Sequence, residues 1–205
     1  GDKNPEIKVG IVNPAGGNIT WADFNQNDDQ YFGIPYRKPD GSSLLVQWMN
    51  RKQNNLKIWE VNITNGSKTI FYNEEQKTWV NLDDEGKRLH FLENGKGFLL
   101  FNDASGWEHL YYYDINGKLI NAVTSGKFTV TDLNYIDEKK GIVYFTARGI
   151  ENSARKDLYR VNLNGKNLKR LTSGNYNNGT INLSPDGSYF ITTQTNAATP
   201  AIMIL

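Results

Sequence analysis

The sequence has 205 residues, 22% of them charged and 38% hydrophobic, with a formal net charge of +1 and no cysteine. That length suits one large domain, and Lys and Arg are scattered singly, without the basic footprint that a phosphate backbone demands, so no nucleic-acid partner is expected. The lack of cysteine removes disulfides and thiolate metal sites, and no apolar run approaches the roughly 20 residues that a bilayer-crossing helix needs.

From the start of the chain, Ile7, Val9 and Ile11 alternate with Lys8, Gly10 and Val12, and Asn13-Pro14-Ala15-Gly16-Gly17 turns back into a return strand at 19–22. A polar loop at 23–30 leads to 31–35 and, after Pro39-Asp40-Gly41, to a strand at 43–50. There Leu45, Gln47 and Met49 oppose Leu44, Val46 and Trp48, and a strand substantial on both faces belongs between packed sheets. A connector at 51–55 precedes a strand from Leu56 that ends in Asn65-Gly66, with its return at 69–72. Glu74-Glu75-Gln76 leads to a short expected strand, Trp79-Val80-Asn81-Leu82, and then to the acidic loop Asp83-Asp84-Glu85. Strands are expected at 87–92 and 97–103, and again from Trp107 through Asp114, closed by Asn116-Gly117.

The hairpins repeat. Leu56, Leu110 and Leu158 each open an apolar, aromatic-rich strand that runs into Asn-Gly, at Asn65-Gly66, Asn116-Gly117 and Asn164-Gly165. This dipeptide favours a type I′ turn. A second marker keeps the same register: Val123-Thr124-Ser125-Gly126 and Leu171-Thr172-Ser173-Gly174 follow the later two hairpins. Pro-Asp-Gly turns precede strands at 42–46 and 188–191. A period of about 50 residues in short strands, with no helical pattern between copies, predicts an all-β fold. The expected architecture is a partial β-propeller of about four four-stranded antiparallel blades, with repeats near 6–50, 56–103, 107–148 and 157–196 and the start of a further strand at 201–205. A cut array of this kind exposes apolar faces and strand edges, so self-association is expected.

The familiar catalytic patterns are absent. There is no Gly-x-Ser-x-Gly elbow, and His90 and His109 both fall in expected strands, where a hydrogen-bonded structural imidazole is the ordinary role. No His-Glu-x-x-His spacing occurs, and Asp114-Ile115-Asn116-Gly117 lacks the distal Glu of a calcium loop, so neither a metal nor a cofactor is expected. Asp28-Asp29, Glu74-Glu75 and Asp83-Asp84-Glu85 read by default as solvated loops. The Asp83-Asp84 pair stands out, because loops at the strand ends of a propeller can face its central opening. Adjacent carboxylates on a strand point to opposite faces, which argues against a glycosidase pair.

Gln47-Trp48-Met49-Asn50-Arg51, Thr78-Trp79-Val80, Gly106-Trp107-Glu108-His109-Leu110-Tyr111, Gly141-Ile142-Val143-Tyr144-Phe145 and Leu158-Tyr159-Arg160-Val161 together resemble the N-terminal β-propeller of the dipeptidyl-peptidase IV family, in the prolyl-oligopeptidase clan. The resemblance implies the later part of an eight-bladed propeller that caps an α/β-hydrolase domain and gates and orients peptides losing an N-terminal Xaa-Pro or Xaa-Ala dipeptide. On that reading the catalytic serine, aspartate and histidine would follow Leu205 and the substrate-binding Glu-Glu pair would precede Gly1, so this stretch alone is expected to be inactive. It also implies a periplasmic or secreted protein. Asp83 and Asp84 fall where the family has a substrate-facing loop, although other members place an aromatic and a basic residue there. Ser184-Pro185-Asp186-Gly187 is shared with TolB-like propellers, and a TolB-like scaffold for protein–protein interaction is the alternative reading.

Overall fold

The computed structural model describes residues 5–83 and 85–205, and among these residues there are strands and turns but no helix. Two compact units divide the chain, one of residues 1–91 with 115–117 and the other of 92–114 with 118–205. The first unit holds β1 (Gly10–Ile11), β2 (Thr20–Trp21), β3 (Gln30–Phe32), β4 (Tyr36–Arg37), β5 (Ser43–Asn50), β6 (Asn55–Asn62), β7 (Lys68–Glu75) and β8 (Leu89–Phe91). The second holds β9 (Gly97–Asn102), β10 (His109–Asp114), β11 (Leu119–Ala122), β12 (Thr129–Asp137), β13 (Ile142–Arg148), β14 (Lys156–Asn162), β15 (Lys169–Arg170), β16 (Asn177–Leu183), β17 (Phe190–Asn196) and β18 (Thr199–Ile204).

In the first unit β1 pairs antiparallel with β2, and β5 is the centre of a larger antiparallel sheet. One edge of β5 takes β3 and β4 in succession, with Phe32 opposite Trp48 and Tyr36 opposite Leu45; the other edge takes β6, which pairs onward with β7. Both faces of β5 are used. Leu45, Gln47 and Met49 are buried on one side, while Val46 on the other joins Ala22 and Val61 in a small core.

In the second unit β9, β10 and β11 form an antiparallel meander, β12 to β15 a second, and β16 to β18 a third. Leu99 and Leu110 share one core with Val123, Phe128, Val143, Phe145 and Val161. Each such side chain, fully removed from water, contributes about 1.5–3 kcal/mol. The other face of β13 is also closed, with Tyr144 and Thr146 buried, as a strand covered on both sides requires.

Two local expectations need correction. The stretch 79–82 is not a strand: Trp79 is 62% exposed and Val80 is buried as a plug, its N–H donating to the Gln53 carbonyl at 2.8 Å. The residues alternate there, but the backbone bonds to a connector and not to a neighbouring strand. Nor are the Asn-Gly turns of type I′, which needs positive φ at both central residues. Gly66, Gly117 and Gly165 lie at φ 75, 85 and 79, but Asn65, Asn116 and Asn164 do not enter that region. The residue that ends each first strand closes the loop: Asn62 Oδ1 accepts the N–H of Thr64 at 2.8 Å, Asp114 Oδ1 that of Lys118 at 2.9 Å, and the Asn162 N–H reaches the Lys166 carbonyl at 2.9 Å.

The glycines answer a second demand. A Cβ on Gly66 would strike the Trp21 carbonyl, one on Gly117 the Phe71 carbonyl, and one on Gly165 would lie 2.7 Å from the Ala122 carbonyl oxygen. Each hairpin tip therefore rests on the backbone of an earlier return strand, in β2, β7 and β11 respectively. The repeated Asn-Gly marks a close approach of backbones as much as a turn.

Candidate functional site

Asp83 lies in the irregular segment between β7 and β8, half-buried, and its carboxylate is already committed. The Tyr36 hydroxyl donates to Oδ2, as does the Arg88 N–H at 2.7 Å, and the Glu85 N–H donates to Oδ1 at 3.0 Å. The backbone of Asp83 is held as well. Gln47, fully buried on β5, donates from Nε2 to the Asp83 carbonyl at 3.0 Å and to the Ile34 carbonyl at 2.7 Å, and accepts the Asp83 N–H at 3.3 Å. Gly33 is small for the same reason: a Cβ there would meet the Asp83 carbonyl oxygen at 2.9 Å.

Burial works against the Asp83 charge, but the bonds from the Tyr36 hydroxyl and from the N–H groups of Arg88, Glu85 and Lys87 outweigh it, holding the carboxyl below the usual carboxylate range. Burial, and then the bond to Asp83, push the Tyr36 hydroxyl far above its ordinary value. The arrangement is a fixed negative charge at neutral pH, suited to holding a donor or a cation and not to shuttling protons. Asp84 lies outside the described residues.

Arg88 ties this loop to β7. Its Nη2 donates to Glu74 Oε2 at 2.8 Å and its Nη1 to the Asn81 carbonyl at 2.5 Å. Glu74 also accepts the Tyr72 hydroxyl at 3.0 Å and Gln76 Nε2 at 2.6 Å, and is only 5% exposed. Reading Glu74-Glu75 as a solvated loop therefore fails for Glu74, whose burial is compensated by the guanidinium and two neutral donors; Glu75 is exposed at the end of the strand. His90, on β8, bonds through Nε2 to the Lys87 carbonyl at 2.6 Å. Tyr36, Gln47, Glu74 and Arg88 carry almost no local signal in the sequence, and only the isolated Gln within an apolar strand hints at a buried partner.

The second unit carries two further polar knots, and they occupy equivalent repeat positions. His109, 2% exposed, bonds through Nε2 to the Gly126 carbonyl at 3.0 Å and through Nδ1 to Thr124 Oγ1 at 3.1 Å, while the same hydroxyl accepts the Leu110 N–H at 3.0 Å. A carbonyl at Nε2 fixes the neutral tautomer with its proton there, leaving Nδ1 to accept from the threonine. Burial holds this imidazole below its ordinary value, against the opposing pull of the Gly126 carbonyl.

Forty-eight residues on, Asp157 replaces His109 and Thr172 replaces Thr124. Thr172 Oγ1 again accepts a strand N–H, from Leu158 at 3.3 Å, and donates to Asp157 Oδ1 at 2.7 Å. Arg155 Nε at 2.7 Å, Arg170 Nη2 at 2.9 Å and Asn178 Nδ2 at 3.1 Å complete the shell of Asp157, which is 1% exposed. The Thr-Ser-Gly marker thus supplies a hydroxyl that caps the start of β10 or β14 and serves one buried polar residue. Aligning His109-Leu110-Tyr111 with Asp157-Leu158-Tyr159 would have exposed the second knot in the sequence.

Among the described residues no group of three or more His, Cys, Asp or Glu side chains could hold a metal ion, and no helix is long and apolar enough to cross a membrane. The cluster around His109 is closed on itself: the hydroxyl bonded to its imidazole, Thr124 Oγ1, also accepts the Leu110 N–H, unlike a free nucleophile beside its base.

Known proteins are similar over much of the chain. Dipeptidyl peptidase 4 of Trichophyton rubrum is 27% identical over 160 residues and that of Arthroderma otae 28% identical over 160 residues, in each case 75% of this chain and 20% of the relative. The chain therefore spans about a fifth of the length of these relatives. The crystal structure of Porphyromonas gingivalis dipeptidyl peptidase 4 superimposes with a TM-score of 0.81 at 25% identity, covering 96% of this chain and 27% of that one. The described strands are thus similar to the N-terminal propeller of that enzyme, as the repeats predicted. The family described as dipeptidyl peptidase IV (DPP IV) N-terminal region matches residues 1–201, and the chain belongs to it.

Proposed function

We propose that this chain is the later part of the propeller of an exported serine dipeptidyl peptidase, periplasmic or secreted, that releases N-terminal Xaa-Pro or Xaa-Ala dipeptides. Its part is to admit and orient peptide, while a C-terminal α/β-hydrolase domain performs cleavage. Membership of the N-terminal-region family across residues 1–201 carries this reading. The structural hydrogen bonds on both ring nitrogens of His109 are compatible with it. Asp83 and Asp84 are the substrate-facing candidates, and the clamp of Tyr36, Gln47 and Arg88 on Asp83 would keep a peptide contact from drifting.

In the full-length protein Asp83→Asn is expected to raise KM for an Ala-Pro chromogenic substrate about tenfold, the worth of one charge-assisted hydrogen bond. Unchanged kinetics in both Asp83→Asn and Asp84→Asn would remove the pair from the site. Residues 1–205 by themselves should release no chromophore, and turnover by that stretch would overturn the assignment.

A second role rests on the edge strand β18, which pairs on one side with β17 and carries exposed Ile202, Met203 and, beyond it, Leu205. An unpaired apolar edge of this kind recruits a further strand, and residues 1–205 are proposed to self-associate through it. Light scattering that reports a monomer at high concentration would refute this.

A further inference from the structure

An open cleft of about 510 Å³ lies in the second unit, lined among others by Arg155, Arg170, Glu151, Asn152, Asn175 and Asn177. We propose that it is a binding site for a small carboxylate, such as the C-terminal end of a peptide, held by the Arg155 and Arg170 guanidiniums and the neighbouring amides. The site is independent of any peptidase role.

The two guanidiniums are fixed in place before a ligand arrives. Arg155 Nε and Arg170 Nη2 both bond to the buried Asp157, Arg155 Nη1 bonds to Asn175 Oδ1 at 3.0 Å, and Arg170 Nη2 also reaches the Gly174 carbonyl at 2.7 Å. These bonds use part of each fork. Arg155 Nη2 and Arg170 Nη1 have no acceptor among the described residues, and Arg170 Nε is buried with no partner there.

The charge sets the class of ligand. Asp157 neutralises one of the two guanidiniums, and Glu151, exposed at the cleft and partly screened by solvent, offsets the other only in part, leaving a net positive bias. A small positive surplus matches a monoanion and disfavours a dianion such as phosphate. Planar guanidinium donors suit the two oxygens of a carboxylate. Asn152, Asn175 and Asn177 add amides that can bond to a ligand's own amide groups.

The test is calorimetric titration of the full-length protein with N-acetyl-Gly-Gly, whose acetyl group removes the ammonium a peptidase site would bind, against the same peptide as its C-terminal amide. The acid is expected to bind at least about tenfold more tightly than the amide, as loss of a charge-assisted pair requires. Two variants at exposed positions shift the charge without disturbing Asp157. Asn175→Asp should weaken acid binding about fivefold, and Glu151→Gln should strengthen it by about as much, the effect of one unit charge in a partly solvated cleft. Equal binding of acid and amide, no binding of either, or an acid affinity unmoved by both variants would overturn the proposal. Inorganic phosphate displacing the peptide acid at lower concentration would overturn its assignment to a carboxylate.

Discussion

If the hairpin glycines are required by close approach and not by turn geometry alone, two glycines with similar φ but different surroundings must respond differently to alanine. Gly165 and Gly95 make that comparison within the second unit, at φ 79 and 69. Either alanine meets the steric cost of a left-handed conformation, about 1–2 kcal/mol. At Gly95 nothing lies within 4 Å of the added methyl, so the cost ends there. At Gly165 the methyl falls 2.7 Å from the Ala122 carbonyl oxygen, and a backbone atom cannot swing aside as a side chain can. The tip or the return strand must shift by several tenths of an ångström, an overpacking penalty of about 1–3 kcal/mol. Gly165→Ala should therefore destabilise by about 2–5 kcal/mol and Gly95→Ala by about 1–2 kcal/mol, measured from urea midpoints at constant slope. Equal losses in the two variants would show that φ alone requires the glycine, and would remove close backbone approach as the physical reason for the repeat.

Asp157→Asn should cost about 3–5 kcal/mol, because it leaves two guanidiniums with side-chain exposures of 11% and 22% facing no carboxylate. Lys140→Ala, which breaks a pair whose lysine is 65% exposed, should cost far less, and denaturation curves that rank the two the other way would contradict the distinction between buried and exposed pairs. The pH response follows from His109, whose folded-state value lies below the ordinary 6.5 because the neutral ring is the buried form. The unfolded chain then binds more protons, so stability is fully present above pH 6.5 and is lost as the pH falls below that value towards the folded-state value. His109→Gln should flatten the fall in Tm below pH 6.5, leaving the contribution of His90, which is shifted in the same direction by burial; an unchanged slope would place the titration elsewhere.

The period is legible in the sequence because its markers are local. A turn glycine, an Asx-type side chain and a capping threonine act within a few residues, so each copy carries its own signal. Trp79-Val80-Asn81-Leu82 marks the limit of such signals. Alternation there records which side chains are buried, and Val80 is buried, but strand formation also needs a neighbouring strand with free carbonyls, and among the described residues the Val80 N–H reaches the connector at Gln53. Burial of charge is equally hidden. Glu74 sits beside the exposed Glu75, and nothing local separates them; the difference is Arg88, fourteen residues away and across a loop.

Asp83 is conspicuous in the sequence for the same local reason, while its surroundings are not. An acidic run after an apolar stretch is visible in one dimension. The groups that give it a fixed charge, Tyr36 on β4, Gln47 on β5 and Arg88 before β8, lie 47, 36 and 5 positions away, and only the sheet brings them together. With a hydroxyl, three N–H groups and a buried amide already spent on it, Asp83 can offer a ligand only the lone pairs that remain. A peptide that uses Asp83 must therefore share the carboxylate with Tyr36. It follows that Tyr36→Phe, which frees that lone pair and lets the carboxyl move, should disturb the loop and any peptide contact in opposite senses, whereas a purely structural Asp83 would register only the first.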